Sequence, residues 1–254
     1  MGSTWVASVS HLGGQYRMLL CAQGSTYLHV ALEGPSLTAG RVAASDRSRL
    51  PEVGVRGANW SPQSRFSLGY GSLAGRSSDP TLISGVLPLP PEDVGKLSIT
   101  VTDPDAVDLG SGADGDERLV FATEFGRHDG PLPGSDVWRP RIATPAGGIR
   151  LLGAAEGRDL FYIFCETPMP ESADARRIGD PGEGLTYTLF FDDDEQQPPP
   201  EVVYPARLGG PGEHSVGLLL IMVARRARTP REFGLHLVDR ATRTRVFDIE
   251  ARRH

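Results

Sequence analysis

Asp103, Asp105, Asp108, Asp114 and Asp116, with Glu117 beside them, form the densest group of oxygen donors in the chain. A calcium ion takes about six to eight oxygen ligands, so a loop holding these carboxylates could supply several of them. The spacing is not that of an EF-hand. Val107 stands where the third ligand belongs, and no helical pattern flanks the loop. The expectation is a solvated acidic loop with no cofactor, and a calcium loop is its alternative. A second acidic run, Asp192-Asp193-Asp194-Glu195, follows a strand-like segment. Consecutive aspartates on an extended chain point to alternating sides, so at most two of them could reach one ion.

Other chemical signatures fail on their context. Gly110-Ser111-Gly112-Ala113-Asp114-Gly115 satisfies the letter of G-x-G-x-x-G, but no apolar helix follows and the surrounding carboxylates would repel a pyrophosphate. Gly95-Lys96 is followed by Leu97, which excludes a phosphate-binding P-loop. Ser72 lacks the glycines of a nucleophile elbow. His11, His29, His128, His214, His236 and His254 are widely separated, and no Cys/His pair has zinc spacing. No catalytic set is therefore expected. Cys21 and Cys165 lie in apolar runs and read as small core residues. Trp5, Trp60 and Trp138 are dispersed and suggest no sugar platform by spacing.

Charge narrows the partners. A net charge of −6 and a pI near 5.5 oppose a phosphate backbone, so nucleic acid is not an expected partner. The basic run Arg225-Arg226-Ala227-Arg228-Thr229-Pro230-Arg231 has no interleaved aromatics and reads as a solvated loop between strands. Lys96 is the only lysine, a bias better ascribed to a GC-rich coding sequence than to binding. No run reaches the ~20 apolar residues of a membrane span, and no secretory signal is visible, so a cytoplasmic protein is expected.

The elements that must position these residues are strands. With 31 Gly and 21 Pro, the chain suits short strands joined by turns. Segments rich in Val, Ile, Thr, Tyr and Phe fall near 4–10, 15–22, 27–33, 65–72, 81–87, 96–102 and 118–124. In the second half they fall near 149–154, 160–166, 185–191, 201–207, 214–223, 233–238 and 243–250. Helical signal is confined to short stretches at 91–94 and 171–177.

Residues 14–35 also align without a gap on 147–168. Arg17 meets Arg150, Gly24 meets Gly157, Glu33 meets Glu166 and Pro35 meets Pro168. The segment Val120-Phe121-Ala122-Thr123-Glu124 is echoed by Val246-Phe247-Asp248-Ile249-Glu250. Matched apolar positions around a matched glycine predict two copies of one hairpin-bearing unit. The expected fold is all-β, with two related antiparallel β-sandwich (Ig-like) domains in tandem. They cover 1–128 and 142–254, with the Pro/Gly-rich stretch 129–141 as linker. One continuous barrel is the alternative architecture.

The run Gly217-Leu218-Leu219-Leu220-Ile221-Met222-Val223 does not alternate, so its strand is expected to be covered on both faces, either by the first domain in a compact monomer or by a partner or second copy. The functional expectation is a non-catalytic structural or protein-interaction protein, with a protein partner or self-association through domain 2. A calcium- or carbohydrate-binding module is the first alternative. An enzyme whose site is dispersed in sequence is the second.

Overall fold

The computed structural model describes residues 4–7, 15–35, 51–62, 66–70, 80–103, 119–128, 138–144, 150–168, 185–192, 195–197, 200–208, 216–226, 228, 230–239, 241–243 and 245–253. The protein is all-β, and no helix occurs among the described residues. The chain divides into two units, Met1–Gly130 and Pro131–His254.

Unit 1 contains β1 (Thr4–Ala7), β2 (Arg17–Gln23), β3 (Tyr27–Gly34), β4 (Glu52–Gly57), β5 (Phe66–Tyr70), β6 (Thr81–Pro88), β7 (Lys96–Thr102) and β8 (Leu119–His128). They form one antiparallel eight-stranded sheet in the order β4-β7-β8-β1-β2-β3-β6-β5. Its two wings share a single core. Val53, Val55, Leu97, Ile99, Val101, Phe121 and Phe125 from one wing cluster with Cys21, Leu28, Val30, Leu32, Ile83 and Leu87 from the other. The wings join at β1, which pairs with β8 along its length and with β2 only at Thr4↔Ala22. In β7 the alternation is clean: Leu97, Ile99 and Val101 are fully buried while Ser98 and Thr100 are half-buried. Each such buried aliphatic side chain contributes about 1.5–3 kcal/mol.

Unit 2 contains β9 (Trp138–Thr144), β10 (Arg150–Glu156), β11 (Leu160–Pro168), β12 (Leu185–Phe191), β13 (Glu195–Gln196), β14 (Glu201–Leu208), β15 (Val216–Ala224), β16 (Glu232–Asp239) and β17 (Arg245–Arg253). They form two antiparallel sheets, β10-β11-β15-β14 and β13-β12-β16-β17-β9. One core lies between them. Phe161, Ile163, Cys165, Ile221 and Val223 from the first sheet cluster with Tyr187, Leu189, Phe191, Phe233, Leu235, Ile249 and Ala251 from the second. Phe161 meets the rings of Phe191 and Phe233 edge-on, at 5.2 and 6.1 Å between centroids, an arrangement aromatic quadrupoles favour.

The order of neighbours is the same in both units. Reading β9, β10, β11, β12, β14, β15, β16 and β17 for β1 to β8 reproduces every pairing of unit 1 except β1–β2, with β13 added at one edge. Register agrees as well. Arg17 lies across from Glu33, and Arg150 across from Glu166. A β-bulge falls between Met18 and Leu20 in one hairpin and between Leu151 and Gly153 in the other. The turns close alike: the Gly24 N–H donates to the Tyr27 carbonyl at 2.7 Å, and the Gly157 N–H to the Leu160 carbonyl at 2.8 Å. Further along, the register slips between Val101 and Thr102, and again between Leu237 and Val238.

Two strands escape the sequence pattern. β4 has only Val53 and Val55 as β-branched residues, interrupted by Gly54 and Arg56. β9 begins at Trp138, inside the stretch read as linker, and carries Arg139, Pro140 and Arg141. The same gapless register that aligns the two hairpins also aligns Trp5 with Trp138. Trp5 pairs with Arg127 and Trp138 with Arg253. The segment at 91–94 forms a turn rather than a helix, with the Val94 N–H bonded to the Pro91 carbonyl at 3.0 Å. Residues 171–177 lie outside the described residues.

Val94, from that turn, is 3% exposed and plugs the unit 1 core beside Gly57. A Cβ at Gly57 would stand 2.6 Å from Val94 Cγ1. Gly57→Ala is therefore expected to cost about 1–3 kcal/mol, measured by chemical denaturation. Adding Val94→Ala should relieve the crowding, so that the second change costs less in the Gly57→Ala background than in the wild type.

Candidate functional site

Of the acidic loop, only Asp103 falls among the described residues; Asp105, Asp108, Asp114 and Asp116 lie outside them. Asp103 directly follows β7 and is 4% exposed. Its Oδ2 accepts a hydrogen bond of 3.1 Å from the hydroxyl of Tyr16, which directly precedes β2 and is itself buried. The Tyr16 ring lies against Gly34 at the end of β3, where a Cβ would come within 2.7 Å of Cε1. The absence of a side chain at Gly34 thus lets the ring reach across to the carboxylate of the other wing. Among the described residues, no group of three or more His, Cys, Asp or Glu could hold a metal ion.

The second acidic run begins with a structural role. Asp192 Oδ1 accepts hydrogen bonds from the backbone N–H groups of Arg231 and Glu232, both at 2.8 Å. This ties the end of β12 to the start of β16. Asp193 and Asp194 lie outside the described residues.

The basic run joins β15 to β16, and its first two arginines are engaged within unit 2. Arg225 pairs with Glu156 at 3.5 Å and donates to the carbonyls of Gly157 and Arg158, while its N–H bonds the Asp159 carbonyl. It thereby braces the β10–β11 turn. The ion pair itself is worth only about 0–1 kcal/mol, because the Arg225 side chain is 41% exposed. Arg226 sits over the Phe191 ring, 6.0 Å from its centroid.

The two histidines flanked by apolar residues are both buried, in different units. His29 lies on β3 between Ala22 and Val86 of the neighbouring strands. His236 lies on β16 and meets the Phe190 ring edge-on at 5.3 Å between centroids. Lys96 is exposed at the start of β7, whereas Ser72 and residues 110–115 lie outside the described residues. Burial pushes both thiols up, that of Cys165 to about 12. Both remain protonated at neutral pH and are poor nucleophiles there.

What the structure assembles instead are two strand pairs, β3–β6 and β11–β15, with side chains buried on both faces. On β15, Ile221 and Val223 enter the core while Leu220 and Met222 are fully buried on the opposite face. The adjacent strand β11 adds Tyr162 and Phe164 to that opposite face, their rings stacked at 6.1 Å, together with buried Glu166. Unit 1 repeats the pattern on β3 and β6, where His29, Ala31, Glu33, Leu82, Ser84 and Val86 are buried opposite the core. The unbroken run 217–223 signals this on β15. On β3 and β6 the pattern was missed, because His29, Glu33 and Ser84 make the run look alternating and half-solvated.

No family model, no curated protein and no solved structure matches this chain. Among the described residues, no helix is long and apolar enough to cross a membrane.

Tyr16→Phe removes one donor to the buried Asp103 side chain, and a loss of about 1.5–3 kcal/mol is expected in denaturant titrations. Calcium provides the complementary measurement. A site filled at about 100 times its dissociation constant would add roughly 2.7 kcal/mol, whereas the acidic loop is expected to leave the melting temperature unchanged in excess calcium. A rise of several degrees that disappears in Asp103→Asn with Asp105→Asn would identify a calcium loop.

Proposed function

We propose that the chain is a non-catalytic structural or protein-interaction protein built from two copies of one antiparallel β-sandwich, and that its second unit supplies the contact. Shared strand order, matched bulges and the equivalent turns at Gly24 and Gly157 support the duplication. The contact rests on one observation, the apolar character of the second face of unit 2, where Leu220, Met222, Tyr162 and Phe164 lie opposite the core. The chain itself already buries these four side chains, so the proposed partner would take the place of that cover. A sandwich sheet needs only one apolar face; a second apolar face must be covered in the working state.

Light scattering after size-exclusion chromatography, on the wild type and on Met222→Asp, tests the proposal. The wild type is expected to assemble. Met222→Asp is expected to remain dispersed, and because Met222 is already buried within the chain, retention of its β-sheet circular dichroism is what separates a contact face from interior core. A monomeric wild type whose variant simply unfolds would make this face interior core, since an unpaired buried charge costs several kcal/mol. The proposed contact would then lose its support.

A further inference from the structure

We draw no further inference here: the strongest candidate, the outer edge of β5 in unit 1, which has neither the proline nor the register shift of its counterpart β14, is an unpartnered sheet edge, and nothing among the described residues shows what would cover it.

Discussion

One long uninterrupted ladder holds each unit in register. β3 pairs with β6 from Tyr27↔Pro88 to Gly34↔Thr81, and β11 with β15 from Leu160↔Ala224 to Pro168↔Val216, in both cases without a slip. A shift of one residue would exchange the side chains of the two faces. In unit 2 it would trade Phe161, Ile163 and Cys165 for Tyr162, Phe164 and Glu166, driving a carboxylate into the core. In unit 1 it would trade Leu28, Val30 and Leu32 for His29, Ala31 and Glu33. The bulges fall in neighbouring pairs, between Met18 and Leu20 and between Leu151 and Gly153.

Much of this was legible, for identifiable reasons. The strand 96–102 appeared in the sequence with its observed bounds, because Leu97, Ile99 and Val101 alternate with hydroxylated residues. The matched hairpins were visible because a turn glycine and a core face tolerate little change. β4 was hidden by its glycines and β9 by Pro140 and two arginines. Both pair along an existing strand, and that neighbour supplies the order their own propensities lack. The equivalence of Trp5 and Trp138 was also in the sequence, but the intervening residues differ enough to mask it.

The chemistry was harder to read. Asp103, Asp192 and Arg225 belong to conspicuous charged runs, yet each is occupied in joining one part of its own unit to another. Short-range spacing lists charged residues without naming their partners. One partner of Asp103 is Tyr16, far away in sequence, and the closing of two wings brings them together. Burial on the second face of β3 and β6 is likewise a property of three dimensions, since polar residues there stay dry without breaking the local pattern.

Among the described residues, the seam at β1 distinguishes the two units. In unit 1 the N-terminal strand is stitched to both wings, so parting them breaks the Thr4↔Ala22 pairing as well as the packing. In unit 2 the corresponding strand, β9, is paired with β17 alone among the described residues, and side chains of the two sheets share one core. Among the described residues, the aromatic cluster of Phe161, Phe191 and Phe233 is what links the two sheets most directly.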